Sequence, residues 1–340
     1  MITNDQELYE EIVNIVNNYD EVLTDEDLTV LDGIYKIFND AEFERLHPRD
    51  KDGKFARTSG GDNAEYTPSP EYTATLERVK ESNNKNITPE DILKSAVKNL
   101  GLDEKEVREK INFAEDYVSN VIEKGLETNK RFLDKDGVYT PERQKEHDRI
   151  LSEIFANEEN AKPKDGERPT VIFLGGRGGS GKSKFNGLVY DESKYIVLDA
   201  DKIKEMLPEY EGYNAYEVHE ESSEILNIAL ARARKQGLNV VYDATMKTLS
   251  STEGKIKAFA DSDYNIEMYY MHLPREKAAE RAIGRFMGER GRYVPLKVLL
   301  GMKDNEANFD QLKHYASKWA FYNNDVPNKN DKPILIDKNY

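Results

Sequence analysis

The sequence predicts an α/β fold with a mainly parallel sheet across its C-terminal half, preceded by a helical N-terminal region. Two observations carry this reading. From residue 168 onward, short apolar runs recur at 170–174, 195–198, 238–242, 266–271 and 334–336, each gap leaving room for a helix. Strands that alternate with helices join into a parallel sheet. Before residue 168 the apolar spacing is helical instead.

The elements follow in order. Within 5–45, Ile12, Ile15 and Val16 have helical spacing, and Leu28, Leu31, Ile34, Ile37 and Phe38 repeat it, with Thr24 or Asp25 as a cap. Residues 48–70 are polar and Gly-rich and read as a flexible linker. Thr88-Pro89-Glu90-Asp91 opens a helix with a capping hydroxyl, a first-turn proline and acids near the positive end of the dipole. Asp134-Lys135-Asp136-Gly137 is a turn, and Thr140-Pro141-Glu142-Arg143 opens a helix that sets Ile150, Ile154 and Phe155 on one side. Lys318-Trp319-Ala320-Phe321-Tyr322 reads as a late helix packing on the sheet through Trp319. The expected organisation is an acidic helical segment (1–47), the linker (48–70), a helical region (71–138) and an α/β domain (139–340).

Composition narrows the function classes. The chain has 340 residues, room for two or three domains, and its 12 Phe and 20 Tyr argue against wholesale disorder despite 34% charged residues. The net charge is −16. Counted along the chain, residues 1–170 carry about all of it, leaving 171–340 near neutral. That balance weighs against nucleic acid and anionic membranes as partners, since both need basic surface. The absence of cysteine excludes disulfide scaffolds, thiolate zinc sites and cysteine nucleophiles. No apolar run approaches the roughly 18 residues of a membrane span, and MITNDQELYE is acidic where a signal peptide would be basic. A soluble cytoplasmic protein is expected. His47, His147, His219, His272 and His314 show no ligand spacing and read as surface or helix-end residues.

The strongest signal follows the first predicted strand. Gly176-Arg177-Gly178-Gly179-Ser180-Gly181-Lys182-Ser183 fits G-x-x-x-x-G-K-[ST]. Glycines let backbone wrap phosphate oxygens closely, so that several N–H groups point inward at the start of the helix expected next. Lys182 would bring charge to the β and γ phosphates, and Ser183 a hydroxyl to Mg²⁺. The loop predicts a three-layer P-loop NTPase or kinase core that binds phosphate.

Three further segments bear on the chemistry. Val197-Leu198-Asp199-Ala200-Asp201 places two acids at a strand end on the same sheet edge as the loop. Asp199 is either a Mg²⁺ ligand or a helix cap, and Asp201 is the candidate proton acceptor. Asp243-Ala244-Thr245 follows another strand, where Asp243 is a Mg²⁺-site candidate and Thr245 could bond a substrate or phosphate; the alternative is a turn or cap. Four arginines fall within 281–292, interrupted by Gly284, Gly288 and Gly291. Forked donors on a glycine-flanked segment suit a lid over a transferring phosphoryl group; the alternative is an exposed helix with snorkelling arginines.

These segments together resemble the zeta toxin family of P-loop kinases, from about residue 139 to about residue 300. The resemblance rests on the approach helix beginning TPER, the loop GGRGGSGKS, VLDADKIKEMLPEY, GLNVVYDAT and the lid ending GRYVP. It implies an ATP- and Mg²⁺-dependent kinase acting on a hydroxyl of a small molecule, UDP-N-acetylglucosamine in the characterised toxins, and a small helical antitoxin that blocks the nucleotide site. By position it implies Asp201 as general base, Lys182 and Ser183 in their loop roles, and Arg285 and Arg292 as lid residues on the triphosphate. It places Asp243 and Thr245, and more loosely Glu220 and Glu221, on the substrate side. Asp243 stands where some toxins have Glu, which shortens the reach of that carboxylate. Residues 1–138 have no counterpart in the compact toxins. The stretch RDKDGKFA resembles a segment of phage head-associated proteins. Two other readings therefore stay open: a nucleic-acid end kinase or ATPase, and a phage structural or interaction protein that carries a nucleotide-binding domain.

Overall fold

The computed structural model describes residues 66–340, apart from Arg290 and Lys329. The helices read over 5–45, the acidic segment and most of the linker lie outside these residues. The end of the expected linker is corrected: residues 66–69 are tied to the C-terminal strand. The Tyr66 hydroxyl donates to Asp337 at 2.6 Å, the Ser69 N–H donates to the same carboxylate at 3.0 Å, and the Tyr66 ring meets Trp319 edge-on at 5.0 Å. Ser69 then caps α1 (Pro70–Asn83) by accepting from the Tyr72 N–H. Lys313 sits among the rings of Tyr66, Tyr72 and Trp319, its Nζ 4.9, 4.3 and 4.6 Å from their centres, which fastens this corner by cation–π attraction.

The expected caps open the next helices. Thr88 forms a complete capping box with Asp91 at the head of α2 (Pro89–Leu100). The α3 helix (Glu104–Lys124) and the single turn α4 (Thr128–Arg131) follow, and Thr140 caps α5 (Pro141–Ile154). The sheet has six strands: β1 (Thr170–Gly175), β2 (Ile196–Leu198), β3 (Val240–Asp243), β4 (Asn265–His272), β5 (Lys318–Asn323) and β6 (Ile334–Lys338). Their order is β2-β3-β1-β4-β5-β6, parallel throughout except for β6, which closes one edge antiparallel to β5. This is the predicted mainly parallel α/β architecture.

The late helix at Trp319 is corrected to strand β5. Its run of one alanine and three aromatics is bounded by polar residues and is short enough to span a sheet buried on both faces. The core assignment of Trp319 holds, at 3% exposure.

Alternate strand residues face opposite layers. Val171, Phe173, Val240, Met268 and Phe321 pack under α5, α7 (His219–Lys235), α8 (Leu249–Ala260) and α11 (Asn305–Leu312). Ile172, Leu174, Val241 and Met271 face the other way, onto Phe185, Val189, Tyr190 and Tyr195. A second core joins α2 and α3 to α9 (Arg275–Phe286) and α10 (Leu296–Gly301) through Ile92, Ala96, Val107 and Ile111 against Ala282, Ile283, Phe286 and Leu299. Among the described residues no helix is long and apolar enough to cross a membrane.

Candidate active site

The loop between β1 and Lys182 is shaped by residues that only glycine satisfies. Gly176, Gly179 and Gly181 have φ of 138°, 85° and 92°. A Cβ on Gly179 would stand 2.5 Å from the Ala278 carbonyl oxygen, and one on Gly176 would stand 2.7 Å from that of Met271. Asn324, at the exit of β5, donates to the Ser180 carbonyl at 2.6 Å and pins the loop from below. The Ser180 Oγ is buried and has no hydrogen-bond partner in the chain. Close-packed glycines with an unsatisfied hydroxyl inside the turn fit a phosphate group.

The helix expected behind the loop is corrected to one 3-10 turn, Lys182–Phe185. Asn186 is extended and Gly187 left-handed (φ 75°), which stops the helix and sends Phe185 under the sheet. Lys182 donates to the Gly176 carbonyl at 2.8 Å and stands 3.3 Å from Asp243. Ser183 beside it is exposed. Lys184, which sequence reasoning passed over, donates to Asn324 Oδ1 and to the Asp331 carbonyl, both at 2.8 Å.

The strand order puts β3 between β1 and β2, so Asp243 lies between the loop and the Asp199–Asp201 segment. Burial pushes the Asp243 carboxyl up to about 6; the Lys182 charge opposes this and the Asp199 charge adds to it. Asp199 takes the capping role at the head of α6 (Ala200–Met206), accepting from the Asp201 N–H at 2.8 Å. Asp201 forms an ion pair with Arg292 and lies 3.4 Å from the Lys204 amine. Lys204, absent from the sequence reading, is 7% exposed, and burial brings its amine down to about 8 against the opposing charges of Asp199 and Glu220. Burial likewise draws Arg292 down to about 10, with Asp199 opposing.

Thr245 lies on the same edge. Its Oγ1 accepts from the Lys247 N–H at 3.3 Å, and its carbonyl accepts from Asn305 at 2.7 Å. The next residue, Met246, is left-handed (φ 56°) and buried, a costly conformation for a side chain of that size. The Asn308 amide holds its carbonyl at 3.0 Å. Arg285, one residue before the end of α9, is exposed at the rim, and Arg281 donates to the Asn324 carbonyl at 3.2 Å.

Two expected site residues point elsewhere. The Arg177 side chain is 3% exposed and turned away from the cradle into a bidentate pair with Glu306, with a further bond to the Met302 carbonyl at 2.8 Å. Only its backbone belongs to the loop. Glu221 is fully buried and cannot meet a substrate, because Arg143 grips it at 2.5 and 2.7 Å and His147 at 2.6 Å. The surface reading of the histidines fails for His147 and also for His272, which pairs with Glu306 at 2.8 Å; both are buried. Among the described residues no group of three or more His, Asp or Glu stands ready to hold a metal. A hydroxyl and isolated carboxylates beside a phosphate cradle suit Mg²⁺, which keeps phosphate and water among its ligands.

Fold and loop together define an α/β P-loop protein. The chain belongs to the zeta toxin family, whose model matches residues 154–339 and so reaches beyond the arginine-bearing segment to β6. It is 27% identical to toxin zeta of Streptococcus agalactiae and 28% identical to toxin zeta of Streptococcus pyogenes, each over 136 residues. Each match covers 37% of this chain and 45% of the relative, so the chain spans less than half the length of these curated relatives. Among solved structures, one from the PezAT chromosomal toxin–antitoxin system of Streptococcus pneumoniae is 15% identical, covering 55% of this chain and 79% of that one at a TM-score of 0.42. A complex of AvrRxo1-ORF1 and -ORF2 with ATP is also 15% identical, covering 59% and 68% at a TM-score of 0.48.

Proposed function

We propose that this protein is an ATP-dependent kinase that transfers the γ-phosphoryl group to a hydroxyl of a small molecule, with UDP-N-acetylglucosamine as the first acceptor to test. One observation carries the reading: a glycine cradle with its lysine shares a sheet edge with Asp201, Asp243 and the arginine-bearing segment. The proposed kinase domain comprises residues 139–340.

In the mechanism the cradle N–H groups and Lys182 hold the triphosphate, and Arg285 and Arg292 neutralise charge on the group in transfer. Asp201 takes the proton of the acceptor hydroxyl as its oxygen bonds to the γ-phosphorus, and the bond from that phosphorus to the β–γ bridging oxygen breaks to leave ADP. Ser183 would hold Mg²⁺ together with the Asp199 oxygen that does not take part in the helix cap, and the ion when bound would offset phosphate charge. Arg292 must exchange its pairing with Asp201 for the phosphates before Asp201 can act. Asp243 and Thr245 line the acceptor side. A small helical antitoxin over the nucleotide site is the protein partner this reading brings with it.

The test is ADP release from ATP and Mg²⁺ in the presence of UDP-N-acetylglucosamine, with Lys182→Ala and Asp201→Asn as inactive controls. Turnover with another alcohol, but with no nucleotide sugar, would keep the kinase and overturn the acceptor.

A further inference from the structure

The helices ahead of the proposed kinase domain touch both the arginine-bearing segment and the segment that carries Tyr213 and Glu217. At the lid, Lys110 of α3 donates to the carbonyl of Phe286 at 2.7 Å and to that of Gly288 at 3.3 Å, and its amine stands 4.9 Å from the centre of the Phe286 ring. Phe286 is the last residue of α9, so Lys110 brings a cation to its terminal carbonyl, at the negative end of the helix dipole, and reaches on to the Gly288 carbonyl, which also accepts from the Gly291 N–H at 3.2 Å. Five residues along α3, Glu115 accepts from the buried Tyr293 hydroxyl at 2.9 Å, next to Arg292. Gly284 lets α2 approach α9 closely: a Cβ there would stand 2.8 Å from Leu100. A Cβ on Gly291 would run into the backbone of Arg285 and Phe286, so the lid folds back on the end of its own helix.

Farther along the helix, Phe113 and Tyr117 of α3 each meet the Tyr213 ring at 5.1 Å, and the Tyr117 hydroxyl donates to Glu217 at 2.6 Å. Arg131 of α4 reaches the same carboxylate at 2.8 Å, and Tyr293 closes the circuit by donating its N–H to the Gly212 carbonyl at 3.1 Å.

We infer that α2 and α3 form a brace within the chain that fixes the arginine lid, with Lys110 and Glu115 as positioning residues that aim Arg285 and Arg292 at the nucleotide site. This rests on the proposed kinase reading for its consequence, and on geometry alone for the brace. Residues 88–124 thereby hold the lid from behind, on the side away from the Arg292–Asp201 pair.

The test pairs two measurements on the full chain. Amide hydrogen exchange without nucleotide at Met287, Gly288, Gly291, Arg292 and Tyr293 reads the brace; binding of a non-hydrolysable ATP analogue reads its consequence. Lys110→Met should speed exchange at these amides and weaken the analogue about tenfold (roughly 1.4 kcal/mol), and Lys110→Arg should restore both. Lys105→Met, on the same helix and paired with Glu109, should change neither. Exchange in Lys110→Met that matches wild type overturns the brace. Faster exchange with unchanged analogue binding overturns the positioning role. Wild type that binds no analogue sinks the kinase reading instead, and exchange still decides the brace. Should Lys110→Met fold poorly, Glu115→Leu, which removes the acceptor of the Tyr293 hydroxyl, gives the same reading through Tyr293.

Discussion

The amine of Lys182 stands 3.3 Å from the carboxylate of Asp243, one strand over on the same sheet edge. Burial pushes that carboxyl up to about 6, against the pull of Lys182. A carboxyl whose folded pKa exceeds its unfolded value of about 3.9 is charged at a cost, so it favours the fold more at pH 4 than at pH 7. For activity the sign reverses, because Lys182 keeps its anionic partner only above the midpoint. We expect kcat/KM for ATP to fall on the acid side with a midpoint near pH 6, and Asp243→Asn to remove that limb. A profile flat from pH 5 to 8 in wild type would refute the coupling.

Asp201 and Arg292 make a second pair on that edge. If Asp201 is the base, Asp201→Asn lowers kcat by roughly 10²- to 10⁴-fold with little change in ATP affinity. Arg292→Met should act on both kcat and the KM for ATP, since it removes a phosphate contact and at the same time frees Asp201. Steady-state kinetics separate the two patterns. A kcat unchanged in Asp201→Asn would pass the base role to Asp243.

Much of this site was legible in the sequence because short-range rules create it. The glycine spacing demands left-handed backbone at Gly176, Gly179 and Gly181, and an apolar run followed by Asp marks a strand end. What stayed hidden depends on contacts far apart in the chain. Nothing near Arg177 shows that Glu306 will claim its side chain 129 residues later, nor does Glu221 advertise Arg143 from 78 residues away. Lys204 could have been flagged as a charge on the inner side of a seven-residue helix, one turn after Asp201. The run 318–322 reads as helix rather than strand because a short apolar run carries no period to tell the two apart, and its aromatic content is the available clue.

Two buried carboxylates set the acid limit of stability. Burial alone would raise Glu221, but bonds from Arg143 and His147 outweigh it and hold the group at about 2. Burial is likewise overcome at Glu306, by the Arg177 charge and the His272 bond, again to about 2. A carboxyl with a depressed folded pKa contributes stability that is complete above its unfolded value near 4.3 and lost as pH falls toward 2. Thermal melts should therefore be level from pH 7 to 5 on account of these groups and fall steeply below about pH 4. Arg143→Met, which leaves Glu221 charged and buried, should cost about 3–5 kcal/mol at pH 7. Part of that loss should return at pH 4, as the stranded carboxyl takes up a proton. A loss independent of pH would assign the effect to packing.

Gly179 and Gly137 separate backbone strain from the needs of the cradle. Both are left-handed, with φ of 85° and 78°. A Cβ on Gly137 meets open space, whereas one on Gly179 would stand 2.5 Å from a backbone carbonyl of α9. Gly137→Ala should thus cost only the conformational penalty, about 1 kcal/mol, and leave nucleotide binding intact. Gly179→Ala must push the loop and α9 apart, so it should lose more stability and weaken binding of an ATP analogue by at least tenfold. Because α9 carries Arg285, the displacement also moves the lid, and kcat should fall even when nucleotide is saturating. Wild-type affinity in Gly179→Ala would mean that the loop does not cradle phosphate in the shape seen here.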